Sequence, residues 1–255
     1  MTRVLATALF VALLVAVPWW FAHSARSGPW LPPEASSYAA EVDGLFDAIL
    51  VALALAFALV MVLLVAAIWR GAARVERART THGDLRLELL WTLVPAAVLA
   101  WIAVAQGPTW RAMKGDEALM ARDPAARVEA AQFDWRFRHP GPDGRLDTVD
   151  DLLEVHELVV PAGEPIVLAT RTRDVIHSFY VPDFRLKQDI VPGRDGRIWF
   201  EAPSPGRHDL VCAELCGFGH YKMAGSIRVL PRPEYEAHLA RLATRWNANG
   251  AEERP

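Results

Sequence analysis

Residues 212–223 read Cys-Ala-Glu-Leu-Cys-Gly-Phe-Gly-His-Tyr-Lys-Met, and this stretch decides which fold and function the sequence predicts. Cys212, Cys216, His220 and Met223 place two thiols, an imidazole and a thioether in one short loop, a ligand set that suits copper. These are the only two cysteines of the chain. Coordination of a metal is therefore favoured, with a Cys212–Cys216 disulfide as the alternative in an oxidising compartment.

Composition points to a membrane protein of one or two domains. The chain has 255 residues, of which 53% are hydrophobic, and its formal net charge is only −3. No basic arm and no stripe of Lys or Arg interleaved with aromatic residues is present, so nucleic-acid binding is excluded.

The N-terminus has the pattern of a secretory signal peptide. Arg3 precedes an apolar stretch at residues 4–22, and small residues follow it. We predict a signal peptide over residues 1–25, with an uncleaved membrane helix as the alternative.

Two further apolar stretches, 48–69 and 89–110, carry no charge and are each 22 residues long, enough to cross a bilayer. They predict a transmembrane hairpin within residues 26–110. The loop between them is rich in arginine, which predicts that it faces the cytoplasm and that everything after Trp110 lies outside. Its arginines are Arg70, Arg74, Arg77, Arg79 and Arg86.

An all-β domain is predicted for residues 111–233, because short β-rich runs alternate there with Pro and Gly turns. The runs are 155–160, 166–170, 197–201, 209–213 and 226–230. Their even spacing favours an antiparallel sandwich or barrel. Alternating aromatic and polar residues at 131–137 predict one half-buried strand. An amphipathic helix and tail are predicted for residues 234–255.

Roughly residues 40–230 resemble one family, that of cytochrome c oxidase subunit II. His177, followed by the pattern of Cys212-x-Glu214-x-Cys216-x-x-x-His220-x-x-Met223, resembles its binuclear CuA site. The stretches 88–95, 181–189 and 191–193 resemble the start of its second membrane helix and the segment after its first copper histidine. The resemblance implies a transmembrane helical hairpin followed by a cupredoxin-like Greek-key domain.

The resemblance also implies a role for each metal-binding residue. His177 and Met223 would ligate one copper, and His220 with the backbone carbonyl of Glu214 would complete the other. The two cysteines would bridge both ions. The Glu214 side chain would reach a Mg²⁺ ion at the boundary with the catalytic subunit. Phe179, Phe218 and Tyr221 are expected to supply an apolar shell.

Three residues carry weaker predictions. Glu88 would lie at the mouth of a proton-uptake path, and the equal alternative is a carboxylate favoured by a helix N-terminus. The family has Gln-Trp-x-Trp where this chain has Gln-Phe-Asp-Trp at 132–135. The role of receiving the electron therefore falls to Phe133 or to Trp135, or is not needed.

The implied function is electron relay in a respiratory oxidase of the bacterial plasma membrane. The chain would accept electrons from cytochrome c and pass them to haem in the haem-copper catalytic subunit I, where O₂ is reduced and protons are transported. A basic cytochrome c would be steered by an acidic face that includes Asp183 and Asp189. Other oxidase subunits and the lipid bilayer are the remaining partners.

Four other classes of protein share parts of this pattern. A blue-copper site needs only one cysteine, and a quinol oxidase subunit II lacks the copper ligands. The CuA domain of nitrous oxide reductase is joined to a large propeller and lacks the hairpin. A disulfide-linked binding module would hold no metal.

Overall fold

The computed structural model describes residues 2–27, 30–72 and 83–249. The chain divides into two compact units, which are Met1–Pro32 with Asp43–Gly107, and Pro33–Val42 with Pro108–Pro255. The described part of the first unit is helical, and the second contains all the strands described. Arg74, Arg77 and Arg79 of the predicted cytoplasmic loop lie outside the described residues.

Among the described residues, three long helices precede the strands: α1 (Thr2–Ser27), α2 (Ala39–Ala72) and α3 (Leu85–Lys114). At the start of α3 the Asp84 carboxylate accepts hydrogen bonds from the backbone N–H groups of Arg86 and Leu87, at 2.9 and 3.4 Å. This is a helix N-cap, which satisfies donors that have no partner inside the helix.

Two helical segments, Ala39–Gly71 and Leu85–Met120, are long and apolar enough to cross a membrane. Each is longer than the charge-free stretch that the sequence marks at 48–69 or 89–110. The helices continue because backbone hydrogen bonding extends through the flanking polar residues. The predicted signal peptide lies on α1, and its cleavage stays a prediction.

Within the residues that the structure describes, ten strands form two five-stranded sheets. Sheet A has the order β3-β2-β1-β5-β8 and sheet B the order β4-β10-β9-β6-β7. The strands are β1 Ala126–Ala131, β2 Asp134–His139, β3 Leu152–Val155, β4 Glu157–Pro161, β5 Ile166–Thr172, β6 His177–Val181, β7 Leu186–Ile190, β8 Gly196–Phe200, β9 Gly206–Cys212 and β10 Ala224–Leu230. The pairs β1–β5 and β4–β10 are parallel and the other pairs are antiparallel. This arrangement is a cupredoxin-like sandwich.

The core lies between the two sheets. Along β1 and β2 every second residue is buried, as in Val128, Trp135 and Phe137, while the residues between them are partly exposed. Leu210 on β9 and Ile227 on β10 are completely buried. Removing this apolar surface from water stabilises the sandwich, at roughly 25 cal/mol per Å² buried.

Two predicted strands are divided in the structure. The run 131–137 is a hairpin, because β1 ends at Ala131, β2 begins at Asp134, and Gln132 with Phe133 forms the turn. The run 155–160 is broken at His156, whose φ of 64° lies in the left-handed region. Its N–H donates to the Trp135 carbonyl and its own carbonyl accepts from Ser226, so β3 and β4 join different sheets.

The segment before α2 packs on the sandwich, which the sequence does not predict. Ala35 N–H donates to the Asp183 carbonyl at 2.9 Å, and the Ser36 hydroxyl donates to the Phe184 carbonyl at 2.8 Å. Tyr38 is buried, with its ring edge-on to that of Trp199. Residues 33–42 are therefore part of the β domain.

Glu154 connects sheet A to the C-terminal helix. A short helix α4 (Glu117–Met120) precedes the strands and α5 (Arg232–Asn249) follows them. The Glu154 carboxylate on β3 lies 3.1 Å from His139 Nε2 on β2 and 2.8 Å from His238 Nε2 on α5. Both imidazoles are buried, so these bonds are shielded from water.

The pKa of Glu154 follows from these contacts. Burial by itself raises that pKa, but the hydrogen bonds and charges of His139 and His238 outweigh it and hold the pKa below its ordinary value. A carboxyl group whose pKa falls on folding stabilises the folded state above the pKa of the unfolded chain, about 4.3. That stabilisation is lost as the pH falls through the folded pKa.

We predict that Glu154→Gln lowers the free energy of unfolding by about 1–3 kcal/mol at pH 7, because a neutral amide replaces a partly buried carboxylate that two buried imidazoles bond. The difference from the wild type should shrink below about pH 4. Glu164→Gln is the control, since Glu164 pairs with Arg232 at the exposed surface and should cost under about 1 kcal/mol. Unfolding of the full chain in detergent measures both, and equal losses would contradict the role of Glu154.

Candidate metal centre

Strand pairing in sheet B assembles a donor cluster from two distant parts of the sequence. β6 begins at His177 and pairs with the end of β9, with Phe179 opposite Cys212. β9 pairs with β10, and Cys212 N–H donates to the Met223 carbonyl at 3.1 Å, which closes the loop between the two strands. The ligand loop, Cys212–Met223, is therefore held at both ends beside His177.

The six groups predicted as copper ligands come together. The two sulfur atoms of Cys212 and Cys216 are 3.9 Å apart. His177 Nδ1 lies 3.8 Å from the first sulfur and His220 Nδ1 3.7 Å from the second. Met223 Sδ is 3.7 Å from the Cys216 sulfur, and the Glu214 carbonyl oxygen is 3.2 Å from the Cys212 sulfur.

Burial separates these donors from solvent. His177 is completely buried, and Cys212, Cys216 and Met223 are buried as well. The ligand atoms of His177 and of both cysteines lie within 4.8 Å of one another, which is close enough to hold a metal ion. His220 is partly exposed. Two thiols, two imidazoles and a thioether fit the preference of copper for soft and borderline ligands.

The thiol groups influence each other. Both cysteines are free. Burial, and to a smaller extent the neighbouring Cys212 thiol, raise the pKa of the Cys216 thiol to about 11. A buried thiol with such a pKa is protonated at neutral pH, so a bound metal cation would displace the protons and offset the charge of the resulting thiolates.

A carboxylate orients the buried imidazole. Asp174 Oδ1 lies 2.8 Å from His177 Nε2, and its Oδ2 accepts from the Gln132 N–H at 2.7 Å. Burial alone raises the pKa of Asp174, but hydrogen bonds from Gln132, His177 and Val175 outweigh it and keep the pKa low. With Nε2 occupied by Asp174, His177 presents Nδ1 to the sulfur, the arrangement by which outer groups orient metal ligands.

The two aromatic candidates for receiving electrons differ in exposure. Trp135 is completely buried, with its ring centre 6.3 Å from that of His177, so it lies beside the cluster but away from the surface. Phe133 is partly exposed, and its ring lies against Gly217 and Gly219 of the ligand loop. Only Phe133 could meet a partner directly.

The predicted apolar shell is only partly present. Phe179 is completely buried and packs edge-on against Trp135 at 5.8 Å. Phe218 and Tyr221 are 95% and 80% exposed, so the expectation that they shield the cluster is wrong. The buried ligands of a short loop occupy its inner side, which turns the side chains between them outward.

The remaining predictions concern the Glu214 side chain and three residues that supply no donor group to this cluster. Glu214 is partly exposed, and Glu88 is exposed in the first turn of α3, close to the Asp84 cap. Asp183 accepts a hydrogen bond from His208 Nδ1 at 2.7 Å, and Asp189 lies 3.6 Å from Lys187 Nζ. Of the two candidates for the acidic face, Asp189 is therefore the more accessible.

Comparison with known proteins identifies the family. The model of the cytochrome c oxidase subunit II periplasmic domain matches residues 142–230, and that of the subunit II transmembrane domain matches residues 24–106. The cytochrome c oxidase subunit 2 of Cereibacter sphaeroides is 30% identical in an alignment that covers 83% of this chain and 79% of that protein. The chain belongs to the cytochrome c oxidase subunit II family. The family and fold class predicted from the sequence are confirmed.

Other subunit II proteins match shorter stretches. The alternative cytochrome c oxidase subunit 2 of Bradyrhizobium diazoefficiens is 35% identical over 139 residues, so the match spans half of that protein and 46% of this chain. The crystal structure of the periplasmic domain of subunit II of cytochrome oxidase from Bradyrhizobium japonicum is 28% identical. The match covers 48% of this chain and 95% of the crystallised domain, with a TM-score of 0.41.

The family matches also place the chain in a membrane. Residues matching the transmembrane domain include most of the two helical segments that are long and apolar enough to cross a bilayer. The strands from β3 onward fall within the match to the periplasmic domain. The protein is thus a membrane protein, and its β domain matches the periplasmic domain of subunit II.

Asp174 and Gln132 are the site residues that sequence reasoning missed. Asp174 stands three positions before His177, and a carboxylate at that spacing was a usable signal for a group that orients the imidazole. Gln132 gave no such signal, because its contacts are with residues 42 and 84 positions away.

We predict that Gly219→Ala destabilises the protein by about 1–3 kcal/mol, because a Cβ at this position would lie only 2.4 Å from Cδ2 of Phe133. The φ of Gly219 is −88°, so alanine has no backbone penalty there. The same substitution in a Phe133→Ala background should be nearly neutral. Thermal unfolding of the full chain tests this, and equal losses in both backgrounds would contradict a clash with the ring.

Proposed function

We propose that this subunit II chain holds a binuclear CuA centre and relays electrons from cytochrome c to haem in the catalytic subunit of a respiratory oxidase. The observation that supports this most directly is the pair of buried thiols 3.9 Å apart, each with an imidazole Nδ1 within 3.8 Å. A mononuclear blue-copper site needs one cysteine and has no use for the second thiol.

Each donor residue would have a separate role in binding copper. When bound, a pair of copper ions would supply a centre that gains and loses one electron, and Cys212 and Cys216 would hold both ions. His177 and Met223 would hold one ion, His220 and the Glu214 carbonyl the other. Burial of the donors excludes water, and the paired strands keep their positions fixed in both redox states.

Several accompanying roles rest on the family resemblance. The Glu214 side chain would contact Mg²⁺ at the boundary with the catalytic subunit, because a carboxylate suits that hard cation. Glu88 would stand at the mouth of a proton path. The membrane would be the bacterial plasma membrane, with the β domain on the periplasmic side, and further oxidase subunits would complete the complex.

Electron transfer requires the donor protein to approach the cluster closely. Phe133 is partly exposed and its ring contacts the ligand loop, so it is the better of the two proposed positions for receiving electrons. Trp135 would act from the interior, beside His177. Leu215, Phe218 and Tyr221 expose apolar surface on the same loop, where a partner would displace water.

We predict that the copper-loaded full chain in detergent binds two copper ions and shows an EPR signal shared between both nuclei. Cys216→Ser should abolish the shared signal, since only one thiolate remains to bridge the ions. One copper with a blue mononuclear signal, or no copper and a Cys212–Cys216 disulfide, would contradict the proposal.

A matched pair of histidine variants controls for loss of an imidazole. His220→Asn removes a proposed ligand, whereas His156→Asn removes an exposed imidazole at a residue of positive φ, a conformation that asparagine tolerates. Only the first variant should lose copper.

Several other carboxylates of the β domain would add little to an acidic face that steers cytochrome c. Asp147 pairs with Arg127, Glu157 with Arg228 and Glu164 with Arg232, while Asp151 is buried. Reversal of charge at Asp183 would also break its bond to His208. Asp189 is therefore the residue at which steering is tested without loss of a buried contact.

We predict that Asp189→Lys in the assembled oxidase raises the KM for a basic cytochrome c by roughly two- to fivefold at low salt. The same change should flatten the dependence of KM on ionic strength. Glu234→Lys on α5 is the control for net charge. Steady-state kinetics across ionic strengths measures both, and identical profiles for wild type and Asp189→Lys would count against steering at this position.

A further inference from the structure

The turn between β1 and β2 reaches both segments that carry the donor groups. The side-chain amide of Gln132 donates from Nε2 to the backbone carbonyl of Cys216. The backbone N–H of the same residue donates to Asp174 Oδ2 at 2.7 Å. One residue of sheet A is thus bonded to the ligand loop and to the segment before β6, both of which belong to sheet B.

Asp174 extends this connection to a donor. Its other oxygen, Oδ1, lies 2.8 Å from His177 Nε2 and also accepts from the Val175 N–H at 2.6 Å. The carboxylate therefore holds the imidazole on one side and Gln132 on the other. A continuous series of hydrogen bonds runs from His177 through Asp174 and Gln132 to Cys216.

Close packing of the same turn on the ligand loop supports the hydrogen bonds. A Cβ on Gly217 would lie 2.7 Å from Gln132 Nε2 and 3.2 Å from the Phe133 ring. The φ of Gly217 is +133°, a conformation that suits glycine alone. The loop thus has glycine at the two positions where the turn approaches it, Gly217 and Gly219.

We propose that Gln132 is a positioning residue for the metal centre, a brace that fixes the distance between His177 and the ligand loop. Strand pairing holds Cys212 and Met223 at the loop ends, but Cys216 lies in the middle of the loop, beyond the paired residues. The Gln132 side chain supplies a fixed contact there. The role of the brace in copper binding rests on the proposed CuA function.

The chemistry of glutamine suits this role. A neutral amide donates a hydrogen bond to a carbonyl without adding charge beside the thiols, whereas a carboxylate would be repelled by the carbonyl oxygen. Leucine has a similar size and no donor. Gln132→Leu therefore removes the bond to Cys216 and leaves the backbone bond to Asp174 in place.

The first test uses the copper-free full chain in detergent, so that it does not depend on metal binding. Hydrogen exchange of the ligand loop is compared in wild type, Gln132→Leu and the control Gln188→Leu, since Gln188 bonds Lys114 on the surface. We expect exchange in the loop to be faster, by about fivefold, only in Gln132→Leu. Equal exchange in all three proteins would overturn the brace.

The second test uses copper-loaded chains. We expect Gln132→Leu and Asp174→Asn each to release copper about tenfold faster than wild type, in the range usual for groups that orient ligands. Because both act through one series of bonds, the double variant should fall well short of a hundredfold effect. If the double variant released copper about a hundredfold faster than wild type, the two residues would act independently, and this result would overturn the brace.

A spectroscopic measurement distinguishes positioning of the donors from general stability. The EPR signal of Gln132→Leu should change its copper hyperfine pattern, while its melting temperature matches that of Gln188→Leu. An unchanged signal with a lowered melting temperature would refute a positioning role. If the wild type binds no copper, the proposed CuA function fails, whereas the exchange experiment still decides whether Gln132 holds the loop.

Discussion

The pairing of β6 with β9 is the interaction on which the donor cluster depends. Its register places Phe179 opposite Cys212, so that the imidazole of His177 reaches a sulfur from a segment 35 residues away. Side chains alternate between the two faces of a strand, and a slip of one residue would turn His177 away from the sulfurs. The buried core between the sheets resists such a slip, because every apolar side chain would move to the wrong face with it.

Beyond this register, the site needs contacts from the opposite sheet. The turn at Gln132 and Phe133 belongs to sheet A, yet it touches the ligand loop and the carboxylate behind His177. Protein interiors are packed closely enough that such contacts require space, and glycine provides that space. The donor cluster is therefore a product of both sheets, although all its ligands come from one.

Folding changes what the acidic residues of the chain can do. Glu154 becomes the centre of a buried bond network that holds α5, and several other carboxylates pair with arginines. Charges that are hydrogen-bonded inside the protein contribute to stability and little to the field at the surface. The ligand loop turns the apolar side chains of Leu215, Phe218 and Tyr221 outward. The surface that they form beside the cluster is therefore apolar rather than acidic.

The sequence by itself determined the fold class, the family and the two apolar helices, because these depend on local spacing and residue type. It also predicted the donor residues that the structure brings together, and their role as copper ligands stays a proposal. It misjudged the run at 131–137, where alternation continues across a turn, and it assigned Phe218 and Tyr221 to a shell that they do not form. Only the tertiary structure decided which groups form hydrogen bonds to the donor residues and hold them in place. Asp174, Gln132 and Glu154 act through hydrogen bonds between segments far apart in the chain, and no local pattern encodes which distant partner a polar side chain will meet.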